Sequence, residues 1–564
     1  METRAQGKKF LFTSLSVYLS TYRILLWLLP LTFLAILFFL PLSRILNFAF
    51  TFQAITPENI RVAVDTLSFT FYQAALSTLL TLLLGLPAAV LFAHYDFPGK
   101  TLLRTLTAVP FMLPTVVVAA GFNSLLGSRG IIHLLFPLSS FVFVGTLPAI
   151  LIAHIFYNTT IVIRVVSAAL STLNPRLEQT ARSLGADSSR VWWNVTLPLL
   201  RPSILAASLL VFLFDFTSFG VILLLGGTQS ATLEVEIYTQ ATRFLNLPLA
   251  AFLSLIQLIC TLVFAVLYSR ITTQRTTQIA PRSAQSNLRN PRTRRERILI
   301  AAFIFMLSSF FILPLSSLPL RSLFRVEADR GQRGEIRYGL TTDYYKELFI
   351  NRRGSVFYVP PIQAIVNSIG YATATVGLSL LFGFPAAFAL AKPTRLEKIL
   401  DPLLLLPLGS STVMLGLGFI LTFGSWLSSP FLVPFAHALV AFPFVVRTLQ
   451  PAIASIPDRL RQAASSLGAS PLEVWKSIDF PILRRATLAA ATFAFTISLG
   501  EFGATLLIAR PEYPTIPIAI ERFLSQPGGL NYGQAMAMAT ILMTLTLVSI
   551  LLIEKFRLPN AGEF

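Results

Sequence analysis

Apolar runs of about twenty residues, separated by short polar stretches, set the pattern of this chain. They lie at about 24–43, 66–93, 105–126, 141–168, 200–226 and 247–269, and again at about 298–320, 362–391, 400–424, 430–453, 485–509 and 532–553. A membrane-crossing helix needs about 20 apolar residues, so the pattern predicts twelve spans in two sets of six. Several contain Pro or Gly, which membrane helices tolerate when neighbours satisfy the freed backbone groups. Between the sets, Arg270 to Arg297 is rich in Thr, Gln, Pro and Ser and carries eight arginines against the single Glu296. It has no apolar face to bury and reads as a linker, 270–297.

Composition excludes a set of soluble domains. Hydrophobic residues make up 54% of the 564 and charged residues 12%, about half the charged share of a soluble protein. Mean hydropathy is +0.72. The net charge of +19 reads as orientation rather than nucleic-acid binding, because Lys and Arg collect in cytoplasmic loops. Arg4, Lys8, Lys9 and Arg23 precede a long span, which reads as a signal anchor with segment 1–23 in the cytoplasm. The linker follows after an even number of spans, and tail 554–564 returns to the same side. Residues 321–361, with eight basic and five acidic side chains, are expected outside; long loops translocate largely regardless of charge. An amphipathic segment on the outer surface is one use for them. Cys260 is the single cysteine, so no internal disulfide forms, and a small packing residue is the reading for it.

The two halves, 24–269 and 298–553, are repeats. Gly85-Leu-Pro-Ala-Ala-Val-Leu-Phe-Ala93 matches Gly383-Phe-Pro-Ala-Ala-Phe-Ala-Leu-Ala391. At a constant offset of 283, His154 and Arg164 meet His437 and Arg447, and Ser183-Leu-Gly-Ala186 meets Ser466-Leu-Gly-Ala469. Val191-Trp192 likewise meets Val474-Trp475, and Pro198-Leu-Leu-Arg201 meets Pro481-Ile-Leu-Arg484. Six spans per half, joined through a cytoplasmic linker, predict parallel rather than inverted repeats, with a solute pathway between them. The fold class is an all-α polytopic membrane protein of about twelve transmembrane helices in two parallel six-helix repeats.

The strongest constellation is the loop between the fourth and fifth spans of each half, 171–202 and 454–485. In the second, Asp458 to Leu467 favours a helix and Gly468 supplies the left-handed residue that ends one. Ser470-Pro471-Leu472-Glu473 has the form of a capping box with Pro at the first helical position, and Pro481 closes the segment. In the first, Pro175 to Leu184, Gly185, the cap Asp187 and Pro198 repeat the pattern. Each loop is predicted to be a short helix, a glycine turn and a second short helix bearing Trp192 or Trp475. A compact knob present twice on one face suits a two-fold symmetric partner.

Ala181-Arg-Ser-Leu-Gly-Ala186 … Leu197-Pro198 and its twin Ala464-Ser-Ser-Leu-Gly-Ala469 … Phe480-Pro481 closely resemble the EAA loop. That loop marks the membrane subunits of binding-protein-dependent ABC importers of the type I fold. The family's leading Glu falls on Gln179 and Gln462, and its first Ala is Thr180 in the first half. The resemblance covers about 66–270 and 362–553. It implies that each loop enters a cleft on one copy of a cytoplasmic ATPase. Gln179, Ala181, Leu184, Gly185, Ala186, Trp192 and Pro198, with Gln462, Ala464, Leu467, Gly468, Ala469, Trp475 and Pro481, then form the coupling surface. Trp192 and Trp475 are expected in or beside the clefts. The implied partners are two ATPase copies, an external solute-binding protein and membrane lipid, in a bacterial inner membrane. Two halves in one chain resemble the thiamine and ferric-iron branch. Leu225-Gly226-Gly227 … Ala231-Thr232-Leu233-Glu234 … Ile237-Tyr238 and Leu499-Gly500-Glu501-Phe502-Gly503 incline the resemblance to thiamine.

The chain offers no reaction chemistry and is expected to bind no cofactor and no metal, ATP being held by the partner. Gly99-Lys100-Thr101 lacks the upstream glycine of a phosphate loop, which His94 replaces. Asp215 and Glu501 are acids within predicted spans, where a charge costs roughly 2.5–3.5 kcal/mol and needs a reason. Glu501 aligns with Ser218, one helical turn from Asp215, so the three are candidates for the substrate pathway, where acids favour a cationic solute. For His154 and His437 packing or helix-to-helix hydrogen bonding is expected, and for the arginines anchoring at the membrane edge. The alternative function is an ion-gradient-driven secondary transporter, which also has two parallel repeats.

Overall fold

The computed structural model describes residues 26–556 except 136–142, 228–229, 274–287, 289, 292, 326–338, 352–358 and 428. Segment 1–23, most of the linker 270–297, part of loop 321–361 and residues 557–564 of the tail lie outside the described residues. Among those described, eleven helices are long and apolar enough to cross a membrane. They number twelve if the bent pair Arg395–Gly409 and Thr412–Trp426 is one span. The chain is an all-α polytopic membrane protein.

Two compact units form, and they are not the two halves of the sequence. One takes in Phe48–Arg352 and Ile516–Thr544; the other takes in Met1–Asn47, Arg353–Thr515 and Leu545–Phe564. Each has a three-helix centre drawn from one repeat. In the first unit Pro57–His94, Leu147–Thr172 and Leu197–Phe216 pack together, and in the second Pro361–Ala391, Leu432–Ala454 and Phe480–Gly500 do so. The Gly-x-Pro-Ala-Ala motif explains the close crossing. A Cβ on Gly85 would lie 2.6 Å from Val162 Cβ, and one on Gly383 would lie 2.7 Å from Val445 Cγ1. Val162 and Val445 are themselves repeat equivalents, so both crossings use the same contact.

The opening helix of each repeat is built into the unit of the other. Leu26–Ala49 joins the second unit, where Phe33 stacks on Phe382 with ring centres 4.2 Å apart. Trp27 Nε1 there donates to Glu397 Oε1 at 3.3 Å. Arg294–Leu323 joins the first unit along Thr115–Leu126: Ser124 Oγ donates to Ser317 O at 2.9 Å and Ser317 Oγ to Gly121 O at 3.0 Å. Small residues at this crossing let the backbones approach, as membrane helix pairs require.

The third and fifth spans depart from the straight helices expected. At 105–126 the chain forms Lys100–Met112 and Thr115–Leu126 instead. Leu113 is extended (φ −76°, ψ 146°) because Pro114 disfavours a helical residue before it. The second repeat breaks at Ser410, and its two pieces meet at 95°. The fifth spans end at Phe216 and Gly500 and resume as the short helices Gly220–Leu225 and Gly503–Ile508. Behind them, they begin earlier than predicted, within the loops.

Candidate functional site

Both inter-span loops fold as the sequence suggests up to the glycine. Helix Pro175–Ser183 starts at Asn174, whose side chain accepts from the Arg176 amide at 3.1 Å. It ends at Gly185, φ +86°. The Gly185 amide donates to Arg182 O and the Ala186 amide to Ala181 O, each at 3.0 Å. In the twin, Gly468 has φ +88°; its amide donates to Ser465 O at 3.0 Å and the Ala469 amide to Ala464 O at 3.1 Å. These paired bonds are a Schellman cap. They give the spacing Ala-x-x-Leu-Gly-Ala its physical meaning: the first Ala supplies the carbonyl, Gly the left-handed turn and the last Ala the amide. Neither glycine is packed, since a Cβ there would meet nothing within 4 Å.

Beyond the turn, Asp187 Oδ1 accepts from the Arg190 amide at 2.9 Å. Ser470 and Glu473 close the predicted capping box, with the Ser470 amide donating to Glu473 Oε2 at 2.7 Å. That amide and the Ser470 hydroxyl hold the Glu473 carboxyl below its usual range. At the other end of the loop Lys392 Nζ donates to Asp458 Oδ1 at 2.6 Å, and the hydrogen bond and charge of Lys392 hold the Asp458 carboxyl low.

The second short helix is not closed by Pro198 or Pro481. It runs on into the fifth span, so that Ser188–Phe216 and Pro471–Gly500 are continuous. The passage is a single π-helical turn, Trp192–Thr196 and Trp475–Asp479. There the Leu197 amide bonds to Trp192 O and the Phe480 amide to Trp475 O, five residues back. Proline has no amide hydrogen, and its ring clashes with the carbonyl four residues earlier. One widened turn moves that carbonyl aside, and such π-bulges recur at functional sites.

Trp192 and Trp475 turn back onto their own units. Trp192 packs on the cluster of Ala93, Leu170 and Leu200. Trp475 meets the rings of Phe384 and Phe388 at 6.1 and 5.7 Å. The exposed apolar surface belongs instead to the leucines: Leu184 is 84% and Leu467 89% exposed, at the tips before the glycines. One helical stripe back, Leu177 and Leu460 are also exposed, as is Trp193. Gln179 and Gln462 face outward, Ala181, Ala186, Ala464 and Ala469 are half-buried, Pro198 is half-buried and Pro481 exposed. The Leu177–Leu184 spacing of seven residues was the available sequence signal for this stripe. The tryptophan doublet gave no indication of which ring faced out.

The candidate pathway acids sit at the breaks in the fifth spans, each beside the histidine. Asp215 is fully buried; Asn158 Nδ2 donates to its Oδ1 at 2.6 Å, and His154 Nδ1 lies 3.3 Å from that oxygen. His154 Nε2 reaches Ser218 Oγ at 2.8 Å. In the second repeat His437 Nδ1 reaches Ser498 Oγ at 2.7 Å, and its Nε2 lies 3.3 Å from Glu501 Oε2. Glu501 also accepts from the amides of Ala504 and Thr505 at 2.8 and 2.9 Å, capping the short helix Gly503–Ile508. By the offset of 283, Ser498 stands where Asp215 does and Glu501 where Ser218 does. Acid and hydroxyl have exchanged places around an equivalent imidazole. Helix-to-helix bonding is the role the structure gives both histidines.

Comparison with known proteins agrees with this construction. The profile of the family described as binding-protein-dependent transport system inner membrane component matches twice, at residues 81–275 and 379–556. The chain is 28% identical over 498 residues to a thiamine transport system permease protein of Brucella abortus, covering 86% of each chain. It is 27% identical over 503 residues to the protein of that name from Escherichia coli, covering 86% of this chain and 88% of the relative. A probable ABC transporter permease protein of Sinorhizobium fredii is 25% identical over 513 residues, covering 88% of each. With its fused repeats, each carrying the glycine-turned loop, the chain belongs to the family of binding-protein-dependent transport system inner membrane components.

Proposed function

We propose that this chain forms the translocation pathway of a thiamine importer driven by two copies of a separate cytoplasmic ATPase. The observation that carries the reading is the pair of near-identical knobs, each with a Schellman turn and an almost fully exposed leucine, Leu184 or Leu467. A solvent-facing leucine on a rigidly capped turn, with Leu177 or Leu460 exposed one stripe back, makes an apolar patch of the kind that marks a protein–protein contact. Two knobs suit two copies of one subunit. In this reading both loops, the linker and the two termini lie in the cytoplasm, and a solute-binding protein delivers thiamine to the opposite face. Thiamine is favoured over ferric iron because the full-length relatives at 27–28% identity carry that name.

Force from the ATPases enters through helix Pro175–Ser183 and its twin. Each π-turn then passes it into the fifth span, because the second short helix of the loop and the span are one continuous helix. ATP binding shifts the pathway only as far as the ATPase pair contacts one state better than the other. Asp215, Ser218 and Glu501, buried or half-buried against the histidines, act in this scheme by fixing the bend of the span rather than by touching solute.

The test is co-purification with candidate ABC ATPase subunits, together with uptake of labelled thiamine. Wild type is expected to retain two ATPase copies and to take up thiamine in an ATP-dependent manner. Leu184→Asp with Leu467→Asp is expected to insert normally yet lose both. Retention of the ATPase by the double mutant would remove the loops as the coupling surface; uptake that follows an ion gradient and ignores ATPase loss would favour a secondary transporter.

A further inference from the structure

The opening helix Leu26–Ala49 does not fill the place where the second unit receives it. A groove of about 430 Å³ runs beside it, with every lining residue inside that one unit. Phe33, Leu37 and Leu432 are its buried lining, and Ile36, Trp426 and Phe431 stand exposed along its rim. Thr32 and Ser429 bring the only hydroxyls among the lining residues.

At the matching crossing of the first unit a ring occupies the place. Arg23-Ile-Leu25 and Pro41-Leu-Ser43 match Arg297-Ile-Leu299 and Pro314-Leu-Ser316, but lie one residue further apart. The opening helix absorbs the extra residue in a π-helical turn, Ala35–Phe39, where the Leu40 amide bonds to Ala35 O. Its counterpart Arg294–Leu323 is α-helical throughout. Counted back from the shared proline, Leu37 stands where Phe310 does. The Phe310 ring packs on Phe156 with centres 5.8 Å apart. Phe156 belongs to Leu147–Thr172, the equivalent of Leu432–Ala454, which lines the groove. The leucine on the π-turn gives up that ring, and the groove opens at the same point. Such π-bulges recur at functional sites.

Space between walls of this kind stays dry, and side chains facing a void lose the dispersion contacts that a filler would return. Leu26–Ala49, Pro361–Ala391 and Leu432–Ala454 are spans, so the medium at the open rim is hydrocarbon. Leu29 and Leu37 both line the groove and lie about 12 Å apart along the helix. One leaflet of the hydrocarbon core is about 15 Å deep, so the length suits a single acyl chain. Trp426 and Phe431 flank the turn between the bent pair and Leu432–Ala454, hence a membrane face, where aromatic rings meet headgroups.

We propose that this groove holds one acyl chain of a membrane phospholipid, whose headgroup lies at the turn beside Trp426. The acyl chain takes the place of the ring that Phe310 supplies in the first unit. It seals the opening helix onto helices of the other repeat.

The test uses the full chain, purified in neutral detergent and stripped of lipid, as wild type, Leu37→Phe and Ile36→Trp. Dipalmitoylphosphatidylethanolamine and its dihexanoyl counterpart, which has the same headgroup, are added separately. The thermal unfolding midpoint and the number of lipids retained in native mass spectrometry are measured. Wild type is expected to keep one more dipalmitoyl lipid than Leu37→Phe and to gain in midpoint from it, but not from the dihexanoyl lipid. Leu37→Phe, which restores the ring of the other repeat, is expected to start from a higher midpoint and to gain less. Ile36→Trp covers the exposed rim from outside, should show the same lost gain, and serves if the Leu37 variant does not fold. Val263→Phe, exposed on Leu247–Thr273 and outside the groove, is expected to bind lipid as wild type does. A rise of equal size in wild type and both groove variants, or an equal effect of the dihexanoyl lipid, would overturn the proposal. So would a wild-type midpoint indifferent to both lipids, which would leave the groove to the chain's own residues.

Discussion

Arg461 Nε donates to Asp479 Oδ1 at 2.8 Å, bracing the first helix of the second loop against its π-turn. At the equivalent positions of the first repeat the brace is neutral on one side: Thr196 Oγ1 donates to Glu178 Oε1, also at 2.8 Å. The two repeats keep the same tie between the same two elements while the chemistry of both ends has changed. Asp479 and Thr196 are buried, so each brace protects a polar group that would otherwise stand unpaired.

Arg461→Ala is expected to leave Asp479 without its partner and to cost about 1–3 kcal/mol in the stability of the loop. Replacing the pair by that of the first repeat, Arg461→Glu with Asp479→Thr, is expected to recover most of it. Hydrogen exchange across 458–480 measures both. An equal loss in the single and double variants would mean that the bond is incidental.

Gly468→Val places a β-branched residue at φ +88°, at a cost of about 1–2 kcal/mol. Since a Cβ there meets nothing within 4 Å, the damage is confined to the turn. Gly468→Asn is expected to restore it, because Asn also ends helices in this conformation. ATPase stimulation by the purified chain should fall with Val and return with Asn; the same loss with both would point to a partner surface too close for any side chain.

The exchanged acid and hydroxyl make a reciprocal test. Asp215→Ser alone strips Asn158 of its acceptor and removes the carboxylate beside His154 Nδ1, and Ser218→Glu alone puts a second acid on one imidazole. Made together, they reproduce the arrangement around His437. A double-mutant cycle on the unfolding midpoint is expected to show a favourable coupling of at least about 1 kcal/mol. Additive losses would mean that the two clusters are not interchangeable.

The carboxyls of Asp458 and Glu473 sit below their ordinary values. Groups lowered on folding stabilise above their unfolded values, about 3.9 and 4.3, and that contribution disappears as pH falls through the folded ones. Hydrogen exchange of 458–474, corrected for its intrinsic pH dependence, should therefore be flat from pH 8 to about 5 and rise only below about 4. A rise near pH 6 would assign the loop's order to other groups.

Local chemistry was legible in the residues, and long-range packing was not. The Schellman turns follow from Gly185 and Gly468, and the caps from Asp187 and the Ser470–Glu473 pair, because each depends on residues within six of one another. The break at Leu113-Pro114 could have been read from the proline, yet the apolar run concealed it. The inward turn of Trp192 depends on a π-bulge that shifts helical phase by one residue, which periodicity does not reveal. The pairing of His437 with Glu501 spans 64 positions, and no sequence spacing announces it.

The placement of the opening helices sets an order of assembly. The unit holding Phe48–Arg352 includes Arg294–Leu323, which the ribosome has not yet made when the sixth apolar segment ends. That unit is therefore incomplete until synthesis has passed the arginine-rich linker and, because it also holds Ile516–Thr544, nearly the whole second half. Its sister waits in the opposite sense: Leu26–Ala49 emerges first and must stand in the bilayer without its groove until Pro361–Ala391 and the helices after it arrive. Nascent chains stalled shortly after residue 270 should expose the Gly121 and Ser124 face to crosslinking by insertion factors, and those stalled beyond residue 323 should not. Biogenesis of this membrane protein is thus closed by its second half rather than completed one repeat at a time.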